Sequence, residues 1–385
     1  MMRMLPVTAL MLTTASPSFA LEDGEILIWI GSNRDRDAMA LAVAPFSEDL
    51  GIDVAIEIVD PDLPQKFQQA AATGDGPDIV LFAHDRFGEW ASGGLIVPVD
   101  PPQDWVDGIL PAALDAVQFD NKTWGYPVSV EAVTLLYNKD LIDTPPAAFE
   151  EIAGLNHNGQ KILWDYNNTY FTMPLLMAGG GYAFQKVDGV FDGATTGVNT
   201  DGAIAGAKVL KSLFDDGVMP QGVDYGVMDG AMANGDVAMV LNGPWAWGGY
   251  KEAGINLGVA PIPTVGGQVS PPFLGVQAFG LNAASPNLDL AIELIENYLA
   301  TDDGLATWNA NGAMGALTDI SAAAAQDDPL ISAMLDIAAD GVPMPSNPEM
   351  GAFWAAMAPA LTNITSGASS PADALNDAAT RILGE

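Results

Sequence analysis

Residues 25–83 read EILIWIGSNRDRDAMALAVAPFSEDLGIDVAIEIVDPDLPQKFQQAAATGDGPDIVLFA, and this stretch decides the fold. The segments 25–30, 54–59 and 78–83 are short apolar or alternating runs rich in β-branched residues, which is the pattern of strands. Between them, 35–50 is Ala-rich and reads as a helix that Pro45 should kink or shorten. A second helix is expected over 62–72, with Asp62 at its acidic cap position and Leu63, Phe67, Ala70 and Ala71 on its apolar side. Strands alternating with helices imply βαβ units and a partly parallel sheet.

The same grammar returns downstream. Asp224 is placed to cap a helix ending near Asn234-Gly235, followed by a strand over 236–242; further strands are expected at 258–263 and 275–282. Ser285-Pro286 should start a helix reaching about Ala300, with Pro at its first position. Asp328-Pro329 and Ser370-Pro371 repeat that start signal before two C-terminal helices. There is no internal repeat, low-complexity tract or long linker. An α/β chain of 385 residues without a linker implies two lobes that the chain enters more than once.

The N-terminus reads as an export signal. Met1–Met4 carry Arg3, residues 5–12 are a short apolar run, and Ser18-Phe19-Ala20 gives the small-x-small pattern of a cleavage site, with cleavage expected after Ala20. The run is far shorter than the ~20 apolar residues that span a bilayer, and no later stretch reaches that length, so the chain is not expected to be membrane-embedded. Cysteine is absent, which excludes disulfides, thiolate metal sites, a thiol nucleophile and a lipid anchor on an N-terminal cysteine. An exported, unanchored chain fits a periplasm.

Thirteen Lys+Arg face 49 Asp+Glu, a net charge of −36. Such a surface repels phosphate backbones and anionic lipid, so nucleic acid and membrane surfaces are not expected partners. Charge this diffuse marks solubility rather than a site. Phosphate loops, dinucleotide fingerprints and nucleophile elbows are all missing, and His84 and His157 have no metal-ligand spacing around them. No cofactor is expected. The Gly-rich 178–181 reads as a helix end.

What stands out is aromatic residues beside hydrogen-bonding groups: Phe82-Ala83-His84-Asp85-Arg86-Phe87, Asn168-Thr169-Tyr170-Phe171, Asn242-Gly243-Pro244-Trp245-Ala246-Trp247 and Phe353-Trp354. A sugar ring has a C–H face that suits a flat aromatic and a hydroxyl rim that suits carboxylates, Arg or amides. Several clusters follow strand ends, where α/β folds place ligands. Spacing alone does not separate this from core packing.

Read together, the segments 71–78 (AATGDGPD), 83–87 (AHDRF), 137–141 (YNKDL), 242–247 (NGPWAW), 282–287 (NAASPN), 296–299 (ENYL) and 352–354 (AFW) resemble, in order, the maltose/maltodextrin-binding periplasmic proteins, receptors of sugar ABC importers. The similarity runs from about Gly24 to the C-terminus. It implies two α/β lobes around a sugar cleft: an N-lobe of 21–129 and 279–323, a C-lobe of 134–273 and 330–385, and hinge segments 130–133, 274–278 and 324–329. It implies a monomer that hands maltose or maltodextrin to a membrane permease complex.

By this resemblance Asp85, Arg86 and Glu131 would bind sugar hydroxyls, Tyr170, Trp245 and Trp354 would stack on the rings, and Met344 and Phe171 would complete the apolar lining. Arg34 stands where the family has a Lys, and Phe82 where it has a Trp. Asn33 and Asn168 replace an Asp and a Glu, Asp165 stands at an Asn position, and Ala355 and Ala358 stand where Tyr and Arg are usual. Each lost charged partner costs on the order of 1.5–3 kcal/mol per hydrogen bond unless compensated, so trehalose, sucrose or another α-glucoside competes with maltodextrin.

The residues carry plainer readings too. Asp85 and Arg86 can simply pair with each other. Trp247 reads as core packing, His84 as structural, and Met344 or Trp354 as packing. Glu131, inside the apolar stretch 128–136, needs partners, which ligand hydroxyls would supply. A rival class is a glycoside hydrolase with Asp85 and Glu131 as its carboxylates, a chemistry that needs them about 5–9.5 Å apart.

Overall fold

The structure is a computed structural model and describes residues 24–157, 159–187, 190–310 and 314–384. The export signal expected over residues 1–20 lies outside the described residues. Two sheets organise the chain. In the first, strands run in the order Ala316–Leu317, Tyr126–Ala132, Phe273–Leu281, Ile79–Ala83, Glu25–Ile30, Asp53–Ile58, with Val342–Pro343 paired to the start of Phe273–Leu281. Glu25–Ile30 is parallel to both of its neighbours, whereas Phe273–Leu281 is antiparallel to Ile79–Ala83 and Tyr126–Ala132. The second sheet has the order Leu257–Ala260, Thr134–Asn138, Val237–Asn242, Gln160–Leu163.

Each sheet has its own core, as a two-lobed α/β fold requires. Ile26, Ile28 and Ile30 face a cluster with Phe46, Phe279 and Trp308 on one side of the first sheet. On the other side, Trp29 and Val80 face Phe67, Phe87 and Trp90. The second sheet packs Leu135, Ile162 and Met239 against helices including Thr169–Met177, Asp201–Asp215 and Met350–Ser366. The chain passes between sheets with only Val133 separating Tyr126–Ala132 from Thr134–Asn138. It passes back over 261–272, and again between helices Ile320–Ala325 and Pro329–Ala338.

Local chemistry explains most element boundaries. Asp35 accepts from Ala38 N–H and caps helix Arg36–Leu50; Asp224, Asp328 and Ser370 cap theirs in the same way. The helix runs through Pro45 rather than stopping there. Pro45 is exposed, and the carbonyl it deprives of a donor belongs to exposed Leu41, where water can take the donor's place. Asp62 sits at the N-cap of Leu63–Ala71, but in a left-handed conformation with no side-chain capping bond.

The expected helix start at Ser285-Pro286 moves to Leu288, and the helix ends in a π turn over Ile295–Leu299. The cause is a polar knot. Asp78 accepts from Leu27 N–H, Ser285 Oγ and Asn287 Nδ2, and Asn282 Nδ2 donates to the carbonyls of Asp75 and Pro77. The motifs GDGPD and NAASPN therefore meet and hold 282–287 as a turn that ties strands together.

Candidate functional site

Several of the candidate groups gather where strands of both sheets end. Arg34 follows strand Glu25–Ile30, held by a turn in which its N–H donates to Gly31 C=O at 3.1 Å. Its guanidinium forks onto Glu131, with Nη1 on Oε1 and Nη2 on Oε2 at 2.9 Å, although the two residues lie 97 positions apart. Both side chains are buried. Gln277, from strand Phe273–Leu281, donates its Nε2 to Glu131 Oε2 at 3.1 Å.

Tyr170 approaches this floor from the other lobe. It sits in the first turn of helix Thr169–Met177, whose N-cap is Asn168; the Asn168 Oδ1 accepts from Tyr170 N–H at 3.1 Å. Gly275 lies beneath the ring: a Cβ there would stand 3.5 Å from the Tyr170 hydroxyl and 3.4 Å from Met344 Cε, ordinary contact distances. Burial raises the Tyr170 pKa, and the charges of Glu131 and Asp85 raise it further against the pull of Arg34. The phenol thus stays neutral and available as a donor.

Asp85 and its neighbours form the third part, in a 3-10 turn directly after strand Ile79–Ala83. Asp85 Oδ2 accepts from Trp354 Nε1 at 2.8 Å, which carries the indole of helix Met350–Ser366 across to this turn. Burial raises the Asp85 pKa, opposed by Arg86 and by the Trp354 hydrogen bond. Arg86 is 3.9 Å from Asp85 but 3.1 Å from Glu89, so its firmer partner is Glu89. His84 is a clasp: Nδ1 accepts from Val276 N–H at 3.0 Å, which leaves Nε2 as the protonated nitrogen that donates to Met344 C=O at 2.9 Å. Its pKa is lowered, chiefly by burial.

A cluster of aromatic rings flanks these groups. Tyr170, Phe171 and Trp245 stand with ring centroids 5.9 to 6.2 Å apart, and Phe171 touches Tyr225 at 6.2 Å. The Trp245 indole folds over Gly243, where any Cβ would collide with it at 2.1 Å. Trp354 packs edge-on against Phe273 and Phe353.

The structure therefore brings together Arg34, Asp85, Glu131, Tyr170, Phe171, Trp245, Met344 and Trp354. Three residues stand apart. Asn33 is exposed in the turn before Arg34, and Asn168 is exposed while its side chain caps a helix. Phe82 turns toward the core of the first lobe, 6.2 Å from Trp90. Trp247 is buried in the core as its sequence context suggested.

Two residues were missed. Gln277 was hidden inside a strand, and its only signal is a polar residue interrupting the apolar run GVQAFG. Tyr225 opens helix Tyr225–Ala233, with its ring 6.2 Å from that of Phe171. Its pKa is pushed up to about 12 by burial and Asp229, and Arg34 acts on it from across the cleft. The Asp224 cap before it was the available signal.

A family model described as "Bacterial extracellular solute-binding protein" matches residues 42–334. The chain is 26% identical over 395 residues to the galactooligosaccharide-binding protein of Bacillus subtilis (strain 168), covering 97% of this chain and 92% of that protein. It is 27% identical over 362 residues to the maltotriose-binding protein of Pyrococcus abyssi (strain GE5 / Orsay), covering 89% and 77%. It is 29% identical over 351 residues to the maltodextrin-binding protein MdxE of Bacillus subtilis (strain 168), covering 85% and 82%. Among the described residues, no helix is long and apolar enough to cross a membrane, and no group of His, Asp and Glu could hold a metal ion.

Proposed function

Because this chain belongs to the bacterial extracellular solute-binding proteins, we propose that it captures a neutral oligosaccharide of the maltodextrin class by lobe closure and delivers it to an ABC importer. One observation carries the choice of a neutral ligand: the buried cation and anion at the cleft floor neutralise each other. Glu131 offers about four acceptor sites, of which three are taken by Arg34 and Gln277. Arg34 has five N–H groups and uses two of them on Glu131. The floor thus retains both a free acceptor and free donors, but no net charge. Hydroxyls, which donate and accept, match that array; a carboxylate or phosphate does not.

The wall of Tyr170, Phe171 and Trp245 supports stacking on the C–H face of a sugar ring. With Arg34 and Asp85 on one lobe, Glu131 in the segment that joins the lobes and Tyr170 and Trp245 on the other lobe, a bridging sugar gains its full contacts only when the lobes meet. Such a ligand shifts an open–closed equilibrium toward closure, the hinge behaviour for which periplasmic binding proteins are a general example. In this reading the lobes are 21–129 with 279–323 and 134–273 with 330–385, residues 1–20 are removed after Ala20, and the mature monomer works in the periplasm. The names of the Pyrococcus abyssi and MdxE relatives support the maltodextrin class; the galactooligosaccharide-binding relative, which covers the largest share of the chain among the three, supports a galacto-oligosaccharide as the second reading.

Catalysis is the reading to exclude. The raised pKa of Asp85 suits a general acid, but Glu131 is pinned by Arg34 and Gln277 and is poorly placed to serve as nucleophile or base. Pure protein incubated with maltotriose should retain the sugar on gel filtration and return it intact after denaturation. Release of new reducing ends would overturn the receptor reading.

A further inference from the structure

We propose that Gln277 is a positioning residue for ligand recognition: its amide locks the Arg34–Glu131 pair in the orientation that reads the sugar's hydroxyls. The inference rests on the cleft being the sugar site. Glu131 sits on the long strand Tyr126–Ala132, and Phe273–Leu281 lies beside it, with Gly275 opposite Glu131 and Gln277 opposite Ser129. The register shifts between Gln277 and Ala278. Ser129 and Glu131 share one face of their strand, so Gln277, opposite Ser129, reaches Glu131 diagonally.

The guanidinium fork places one N–H on each carboxylate oxygen and by itself leaves spare acceptor capacity on both. The Gln277 N–H adds a third donor on Oε2 and fills that oxygen. The remaining acceptor capacity is then confined to Oε1, and the spare N–H groups of Arg34 are aimed by the same constraint. Gln277 is almost fully buried, at 9% exposure, so its amide needs the bond as much as Glu131 does. The amide is also neutral. It adds a donor without upsetting the balance of the buried pair, which a Lys or Glu at this position would not do.

The test is calorimetric titration of wild type, Gln277→Met and Gln277→Glu with maltotriose and, in parallel, with a galacto-oligosaccharide, across roughly pH 6 to 8.5. Gln277→Met keeps length and volume without the amide, and roughly 10-fold weaker binding is expected, the scale of one hydrogen bond to a charged group. Gln277→Glu puts a second carboxylate beside Glu131, and two carboxylates sharing a site cannot both ionise easily. Its affinity relative to wild type should therefore fall as pH rises, a trend that a merely structural role would not produce. If Gln277→Met fails to fold, the pH trend of Gln277→Glu decides. A wild type that binds while both variants match it at every pH overturns the inference alone. A wild type that binds neither sugar at millimolar concentration overturns the reading of the cleft and this inference with it.

Discussion

Replacing His84 by Leu should destabilise the protein sharply above neutral pH and much less in acid. The imidazole joins three segments: it belongs to the turn carrying Asp85, accepts from Val276 N–H in the central strand and donates to Met344 C=O in the segment leading to Trp354. Leu fills similar volume but strands both backbone groups in a buried place. Each buried group left unsatisfied costs about 1–3 kcal/mol, so the loss is roughly 2–6 kcal/mol, a large fraction of the usual ~5–15 kcal/mol. The pH dependence follows from the lowered His84 pKa, caused first by burial and opposed by neighbouring Asp85. The folded state binds fewer protons here than the unfolded chain, so the contribution is complete above the unfolded value of 6.5 and is lost as pH falls below it. Protonation would also set an Nδ1–H against the Val276 N–H. Urea unfolding of wild type and His84→Leu at about pH 8 and about pH 5 reads this out, with the gap between midpoints wide in the first and narrowed in the second. Equal midpoints at the higher pH, or a gap that widens in acid, would refute the clasp.

Trp245→Ala removes the half-buried stacking ring and should weaken sugar binding by roughly 2–4 kcal/mol, about 30-fold or more, while costing less folding stability than the ~3–5 kcal/mol of a fully buried Trp; calorimetry and urea midpoints separate the two. Arg34→Met leaves Glu131 buried without its cation and should cost about 3–5 kcal/mol, whereas Arg34→Met with Glu131→Met should recover most of the loss, as chemical denaturation of both variants will show. Asn168→Ala should cost about 1 kcal/mol through loss of the helix cap, and Asn168→Ser should restore it with sugar affinity unchanged; a restored fold with lost affinity would mean that Asn168 contacts the ligand.

Much of the architecture was legible in the sequence because it rests on short-range patterns. The strand Glu25–Ile30 and the caps at Asp35, Asp224, Asp328 and Ser370 follow from local chemistry alone. The errors came where distant residues take over. Nothing near Pro286 shows that Asp78 will hold 282–287 as a turn. The site divides in the same way. Aromatics beside polar groups after strand ends pointed to Asp85, Tyr170 and Trp245. The need of Glu131 for partners was visible too, but ligand hydroxyls seemed the source, whereas the chain itself supplies Arg34 and Gln277. Both lie far from Glu131 in sequence; strand pairing brings Gln277 within reach, and the turn after Glu25–Ile30 brings Arg34.

A mutually neutralised floor under an aromatic wall should take a neutral oligosaccharide without transforming it. Isothermal titration of the pure protein with maltose, maltotriose, a galacto-oligosaccharide, trehalose, sucrose and, as a charged control, an oligogalacturonate tests it most directly. Maltotriose should bind saturably, the disaccharides more weakly, and the uronate should give no heat of binding. Binding of the uronate in preference to every neutral sugar, or no binding of any neutral sugar at millimolar concentration, would contradict it.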